Sequence, residues 1–388
     1  MSWWVADIAG VAIAVTGRRA AEIANAALLV AATAVVVLTV LWAACLTFVN
    51  AAVDRPFRAR DYQRVLERGH RLSLMKVVQA SREASFATTY MPSRALAVVG
   101  GGLPEAIRGL ERCARETAVR PKFPLLRGRF ELAGEVRLQL GVVLLKAGRF
   151  EEAEACFHEV TERVKTMDRW LLAVRCLALA EAERGMFASA HLHADHALAL
   201  ARTTGNATAT ANGLRTLGQI AYAQGQWRHA RRLLLRSIDE LPPATRPNEG
   251  HDIDLVETMR LLAVVTAHDG DLTVARTWWQ RAQGLIDDRH VTVRPELGAR
   301  GQFSEAVILR LEGEPERALE LARRAATRAT DTNTTLVWAA RTELARAARD
   351  LGDLALAQTT YLEVIAWLEH ADALTEAALV GSELDALA

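Results

Sequence analysis

Two kinds of hydrophobic pattern divide the chain. Residues 26–49 read "AALLVAATAVVVLTVLWAACLTFV", an apolar stretch of 24 residues with no charged side chain, whereas further along the apolar residues recur three and four positions apart. A helix of that length rises roughly 36 Å, which exceeds the ~30 Å hydrocarbon core of a bilayer. We therefore predict a transmembrane helix over residues 26–52 and a series of amphipathic helices after it.

The charges that flank the apolar stretch indicate its orientation. Arg18 and Arg19 precede it, and seven basic residues follow it closely: Arg55, Arg58, Arg60, Arg64, Arg68, Arg71 and Lys76. Because segments rich in Lys and Arg stay on the cytoplasmic side of a membrane, this excess predicts a single-pass protein whose C-terminal body is cytoplasmic.

Two other features of the N-terminus leave alternatives open. Val49 and Ala51 fit a signal-peptidase site, which would make the apolar stretch an export signal, but the long leader and the arginines that follow disfavour this interpretation. The first 25 residues contain a shorter apolar segment that is interrupted by Asp7. We predict an interfacial segment over residues 1–25, with a second span as the alternative.

One motif recurs six times beyond residue 130. It consists of a glycine, an apolar residue two positions on, an alanine five positions on and an apolar residue nine positions on, and its glycines are Gly148, Gly185, Gly225, Gly270, Gly313 and Gly352. Glycine adopts the left-handed backbone conformation in which many helices end, and alanine lets two helices approach closely. The intervals of 37, 40, 45, 43 and 39 residues therefore predict six helical hairpins.

Two copies of the motif are especially regular. In "LGVVLLKAGRFEEAEACF" (140–157) and "LGQIAYAQGQWRHARRLLLRSIDELP" (217–242) a small residue, a glycine, an aromatic residue and an alanine follow in a fixed order. This order resembles the tetratricopeptide repeat (TPR) family. Other copies depart from it, because Leu272, Pro315 and Leu354 replace the aromatic residue and the spacing exceeds the family's ~34 residues. The resemblance implies an all-α protein, a right-handed α-solenoid of about six to seven TPR-like hairpins, joined here to an N-terminal transmembrane helix.

The repeat register also sets the expected domain boundaries. The solenoid is expected over residues 130–370. Residues 371–388 are expected to form a helix that caps its C-terminal apolar edge, since a solenoid cannot leave that edge open. The helical pattern of residues 53–129 predicts a juxtamembrane helical region. Within it, "GGLPEAIRGLERCA" (101–114) fits the motif as an earlier, degenerate repeat.

Composition and motifs argue against several functions. The charges are balanced, with 47 basic and 46 acidic residues, so the chain lacks the basic excess of a nucleic-acid-binding protein. Its four cysteines form no CxxC pair, and it contains no GxxxxGK[ST], HExxH or GxSxG motif. We therefore expect no enzymatic activity, no cofactor, no metal site and no small-molecule substrate.

The histidine-rich stretch "HLHADH" (191–196) is the remaining candidate for chemistry. In a helix His193 and His196 are neighbours, but His191 lies about 140° or more from both around the helix axis. Three metal ligands cannot converge from this geometry. We interpret the stretch as solvated helix surface whose packing positions are the alanines between the histidines.

The resemblance to TPR proteins implies a concave groove, lined by the first helix of each hairpin, in which peptide ligands lie. The residues ten positions before the turn glycines form a column of equivalent sites: Leu138, Arg175, Arg215, Arg260, Phe303 and Thr342. Its three successive arginines would stand roughly 10 Å apart. Guanidinium groups suit carboxylates, which predicts an acidic or C-terminal peptide segment as the ligand. Further candidates for the groove are Asn212, Gln219, Tyr222, Arg310, Arg346 and Arg349.

An alternative role for these arginines is pairing with glutamates of adjacent helices. The Lys/Asn carboxylate clamp of chaperone-binding TPR proteins is not reproduced here, so those chaperones are not the implied partners. The order of segments resembles that of several bacterial inner-membrane assembly factors. We interpret the chain as a scaffold or adaptor, anchored in the membrane by residues 26–49, that binds another protein. An integral accessory subunit of a membrane complex and an exported periplasmic TPR module are the alternatives.

Overall fold

The structure is a computed structural model, and it describes residues 3–59, 61–76, 78, 82–99, 102–118, 129–164, 166–241, 249–288 and 295–387. Every regular element in these residues is an α-helix. The predicted all-α class is therefore confirmed. The chain divides into two units, residues 1–91 and 92–388.

The first unit contains α1 (Trp3–Arg58), α2 (Tyr62–Ser73) and the first half of α3 (Arg82–Val99). The apolar side chains of α1 from Leu28 to Trp42, and that of Phe48, are exposed. In the described part of the chain α1 is the one helix that is long and apolar enough to cross a membrane, by length and composition. The side chains of the predicted interfacial segment lie outside the described residues, apart from the last.

The second unit is a right-handed α-solenoid of paired helices. After α3 it contains α4 (Leu103–Ala118), α5 (Arg129–Lys146), α6 (Phe150–Arg163), α7 (Met167–Glu183), α8 (Phe187–Thr203), α9 (Ala207–Ala223), α10 (Trp227–Glu240), α11 (Glu249–His268), α12 (Leu272–Asp288), α13 (Pro295–Leu311), α14 (Pro315–Ala329), α15 (Thr334–Asp350), α16 (Leu354–His370) and α17 (Leu374–Asp385). The six pairs from α5–α6 to α15–α16 are the six predicted hairpins, flanked along the chain by α4 and α17.

The recurring glycine and alanine explain how each hairpin packs. All six turn glycines have positive φ angles, between 69° and 94°. The alanine five positions after each glycine has no exposed surface; these residues are Ala153, Ala190, Ala230, Ala275, Ala318 and Ala357. A Cβ atom added to Gly141 in α5 would lie only 2.6 Å from the Phe157 ring in α6. Small residues are therefore required where the paired helices touch.

The solenoid closes on itself at a contact that we call the seam. In the seam, the α5–α6 and α7–α8 turns lie against α13, α16 and the α16–α17 turn. Lys146 Nζ lies 2.5 Å from Glu296 Oε2, and Arg184 Nη2 lies 2.6 Å from Asp372 Oδ2. Phe150 joins the hydrophobic core that α15, α16 and α17 form. Hairpins that are far apart along the chain thus meet at the seam.

Asp372, in the seam, has the backbone conformation of a turn glycine. Its φ angle is 59°, and every other described residue with positive φ is a glycine. Aspartate tolerates this conformation better than most side chains, at a modest cost in energy. Its carboxylate accepts hydrogen bonds from Nε and Nη2 of Arg184, at 3.0 and 2.6 Å. A glycine at this position would have no side chain to pair with Arg184.

We expect Asp372→Asn to loosen the seam while leaving the turn intact. Asparagine also tolerates positive φ, but it lacks the charge that attracts Arg184 across the seam, and Arg184 keeps its other partner, Glu154, at 2.8 Å. Because the carboxylate is partly exposed, the seam should lose about 1 kcal/mol of stability. Backbone amides of residues 372–385 should therefore exchange about fivefold faster with deuterated solvent. Asp385→Asn, at an exposed position of α17, is the matched control. Equal exchange in both variants would show that this ion pair does not hold the seam.

Candidate functional site

The first helices of successive hairpins lie next to one another in a row, which α17 extends. Ion pairs join most neighbouring helices of this row: Glu135–Arg169 (3.0 Å), Arg215–Asp254 (2.9 Å), Glu257–Arg300 (3.4 Å), Arg310–Glu343 and Arg346–Glu383 (2.6 Å). Among the described residues no ion pair joins α7 to α9. We call this place the α7–α9 junction.

Arg175 lies at the α7–α9 junction. Its half-buried side chain makes no hydrogen bond or ion pair within the described part of the chain. Burial lowers the pKa of its guanidinium, and the charge of Arg215 lowers it further. Arg215 is held by Asp254, whose Oδ1 lies 2.9 Å from Arg215 Nη1. Two guanidinium groups, those of Arg175 and Arg215, therefore share the carboxylate of Asp254 at the junction.

Four predicted site residues follow one another on a single face of α9. Asn212, Arg215, Gln219 and Tyr222 are separated by three, four and three positions, and all four are half-buried. The side-chain amides of Asn212 and Gln219 have no hydrogen-bond partner among the described residues. This face therefore offers amide donors and acceptors beside the two arginines of the α7–α9 junction.

Tyr222 marks the end of this α9 face. Its ring lies 5.3 Å from that of Trp227 and 6.1 Å from that of His268. Burial raises the pKa of its phenol to about 12, and the charges of Arg346 and Glu343 in α15 also act on it. Because α15 belongs to a distant hairpin, this part of α9 faces helices from the far end of the solenoid.

Arg260 lies between helices rather than along the expected groove, which corrects the prediction for its position. Its side chain is 5% exposed, and its guanidinium donates to the Leu297 carbonyl (2.7 Å) and to Gln283 Oε1 (2.9 Å). It packs over Gly301 of α13, which has no side chain to exclude it. Leu138 and Thr342, in the same predicted column, are also buried. The position ten residues before a turn glycine therefore does not always face the inner surface.

Arg310 and Arg346 pair with acidic residues of neighbouring helices, which is the alternative to ligand binding that the sequence left open. The Arg310 guanidinium donates to Glu343, whose side chain is 1% exposed, and lies 3.3 Å from Asp350. Arg346 donates through Nε and Nη2 to Glu383, which also approaches Arg349. Sequence analysis missed the two glutamates. In the sequence, the one indication of a buried Glu343 is that this acidic residue lies between packing positions of an apolar helix face.

The three histidines of α8 contact different partners. His193 Nδ1 lies 2.8 Å from Glu181 Oε2, His191 Nε2 lies 2.9 Å from Gln224 Oε1, and the His196 ring lies 5.2 Å from the Trp170 ring. His191 and His193 are half-buried, so they are not the solvated surface that the sequence suggested. In the part of the chain that the structure describes, no group of three potential ligands could hold a metal ion.

The fold defines the protein as a helical-repeat solenoid of the tetratricopeptide type. Similar solved structures include the Rap conjugation gene regulator of the plasmid pLS20, which was solved in complex with the Phr* peptide. The regulator is 13% identical to this chain with a TM-score of 0.55, and the match covers 81% of this chain and 86% of the regulator. Aspartyl phosphate phosphatase F from Bacillus subtilis is 11% identical with a TM-score of 0.54, covering 79% and 74%. A tetratricopeptide repeat protein from Parabacteroides merdae is 11% identical with a TM-score of 0.50, covering 78% and 98%.

No protein-family model matches the chain, and the search of curated proteins found no match. At identities of 11–13% the structural likeness establishes the fold.

Proposed function

We propose that the protein is a membrane-anchored scaffold that binds an acidic or C-terminal segment of another protein on its inner surface. The observation that supports this most directly is the unpaired Arg175 at the α7–α9 junction, where two guanidinium groups share one carboxylate. A carboxylate from a ligand would balance the charge there and accept the hydrogen bonds that Arg175 does not make within the chain.

The residues that we assign to this site are Arg175, Asn212, Arg215, Gln219 and Tyr222. Asn212 and Gln219 would hydrogen-bond the ligand backbone, and the Tyr222 ring would supply apolar contact area. Arg310 and Arg346 would contact the ligand only after their own glutamates were displaced. Support for a peptide ligand also comes from the similar fold of the pLS20 Rap regulator, whose solved structure contains the Phr* peptide. No step of this proposal requires catalysis, a cofactor or a metal ion.

The anchor that we propose is α1, whose apolar side chains from Leu28 to Trp42 are exposed. Burial in lipid would remove this apolar surface from water. The basic residues after the apolar stretch support a cytoplasmic solenoid. A C-terminal reporter enzyme that is active only in the periplasm tests this orientation, and its activity would favour the exported module instead. Stoichiometric copurification of a membrane protein in mild detergent would favour an integral subunit.

Replacement of Arg175 should weaken peptide binding selectively. The probe is fluorescein-labelled hexaglutamate with a free C-terminus, and hexaglutamine with a C-terminal amide is the neutral comparison. We expect the full-length protein in detergent to prefer hexaglutamate, and we expect Arg175→Glu to reduce its affinity on the order of 30-fold, because a repelling charge replaces a guanidinium. Fluorescence anisotropy measures both affinities.

The matched control is Arg202→Glu, which makes the same charge change at an exposed position of α8. It should leave the affinity for hexaglutamate within about twofold of wild type, since exposed charges interact weakly in salt. Equal losses in the two variants would mean that net charge, not the α7–α9 junction, determines binding. Equal affinity of the wild type for the two peptides would overturn the proposed ligand class.

A further inference from the structure

The first two helices form a hairpin that turns the chain back along α1. The Phe57 ring near the end of α1 lies 5.4 Å from the Tyr62 ring at the start of α2. Val78, which follows α2, packs with Val49 and Cys45 of α1. α2 therefore runs antiparallel to α1, and the chain after α2 returns to the level of Cys45 and Val49.

This level coincides with the end of the exposed apolar surface of α1. Side chains from Leu28 to Trp42, and that of Phe48, are exposed, whereas Cys45 is half-buried and Val49 and Val53 are fully buried against the rest of the unit. The segment from residue 27 to residue 48 is roughly 33 Å long in helical conformation, close to the thickness of a bilayer core. If α1 spans a membrane, the end of α2 lies at the boundary between hydrocarbon and headgroups.

The two faces of α2 differ in chemistry. Val65, Gly69 and Leu72 are buried. Arg64, Arg68 and Arg71 follow the same helical spacing on another face, and all three are exposed. Asp61 pairs with Arg64 at 3.2 Å.

Arg68 and Arg71 have no ion-pair partner among the described residues. Three further exposed residues follow α2: Leu74, which is 65% exposed, Met75, which is 45% exposed, and Lys76. Two apolar side chains thus stand beside three basic residues, none of which has an ion-pair partner among the described residues. This combination is typical of segments that insert apolar side chains at a membrane surface while their charges contact headgroups.

We propose that Arg68, Arg71, Leu74, Met75 and Lys76 form a contact surface for the anionic phospholipid headgroups of the bilayer that α1 crosses. The inference rests on the proposed membrane anchor. The charge distribution favours an anionic surface, because residues 54–76 contain seven basic and three acidic residues in a chain whose totals are 47 and 46. Basic residues next to a membrane span are attracted to anionic lipids in this way.

The test compares lipid retention by the full-length protein in a non-ionic detergent. Equimolar phosphatidylglycerol and phosphatidylcholine are added, and native mass spectrometry counts the bound lipids of each kind. We expect wild type to retain phosphatidylglycerol preferentially. The triple variant Arg68→Gln, Arg71→Gln, Lys76→Gln should lose this preference, since each basic side chain near an anionic surface strengthens binding about fivefold and three together on the order of 100-fold.

The control variant has the same change in net charge at three exposed arginines of the solenoid, Arg115→Gln, Arg202→Gln and Arg236→Gln. It should keep the preference for phosphatidylglycerol. Equal retention of the two lipids by wild type, or an equal loss in both variants, would overturn the proposed surface. Extraction of the wild-type protein from vesicles by alkaline carbonate would instead overturn the anchor. The triple variant should resist this extraction, because α1 is unchanged.

Discussion

Glu343→Gln is expected to lower the free energy of unfolding by about 3 kcal/mol. Glu343 is 1% exposed and accepts a hydrogen bond from Arg310, whose side chain is 9% exposed. Removing one partner of a buried ion pair costs roughly 3–5 kcal/mol, because the other charge stays buried without compensation. Asp350, 3.3 Å from Arg310 Nη1, remains and keeps the cost at the lower end. Urea unfolding of the full-length protein in detergent, followed by tryptophan fluorescence, measures the change.

Two variants separate this effect from a general loss of surface charge. Glu320→Gln removes an exposed carboxylate that pairs with Arg324 at 2.7 Å, and it should change the free energy of unfolding by less than about 0.5 kcal/mol. The double variant Arg310→Met, Glu343→Leu should recover most of the stability, because apolar residues of similar volume replace a buried ion pair well. If Glu343→Gln and Glu320→Gln have equal effects, the α13–α15 ion pair does not contribute as the structure suggests.

The hairpins were predictable from sequence because their determinants are local. A glycine with positive φ and an alanine five positions later define each turn and its packing, and both occur within a short segment. The spacings of 37–45 residues predicted helices or loops longer than usual for the family. The longest spacing, 45 residues between Gly225 and Gly270, contains α11, a helix of 20 residues.

The seam could not be predicted in the same way. Its ion pairs join residues 150 and 188 positions apart, Lys146 to Glu296 and Arg184 to Asp372. Such contacts depend on how small rotations between successive hairpins accumulate along the solenoid. No short sequence pattern specifies the total rotation.

The sequence predicted which residues of the candidate site share a helix face, but not which of them have partners. Asn212, Gln219 and Tyr222 share a face with Arg215 because helical spacing places them there. Whether an arginine in such a position is free depends on its neighbours in other repeats. Arg260 is buried because α13 has a glycine opposite it. Arg175 has no ion-pair partner among the described residues, because α9 presents Arg215 to it instead of an acid.

Glu296→Gln is the second substitution for which we expect a large effect, and its effect should depend on pH. Burial alone would raise the pKa of the Glu296 carboxyl, but Lys146, Arg300 and a hydrogen bond from Asn333 lower it to about 2. Relative to the ordinary value of 4.5, this depression corresponds to about 3 kcal/mol of stability at neutral pH. Because the folded-state pKa is the lower one, the contribution is complete above about pH 5 and decreases as the pH falls from 4.5 towards 2.

The pH dependence provides a test that does not require an absolute stability. The difference in free energy of unfolding between wild type and Glu296→Gln should be about 3 kcal/mol at pH 7 and about 1 kcal/mol smaller at pH 4. Glu369→Gln, at an exposed position of α16, should differ little from wild type at either pH. A difference for Glu296→Gln that is equal at pH 7 and pH 4 would contradict the depressed pKa. Since Lys146 and Glu296 meet across the seam, the predicted loss also means that acid weakens the closed form of the solenoid.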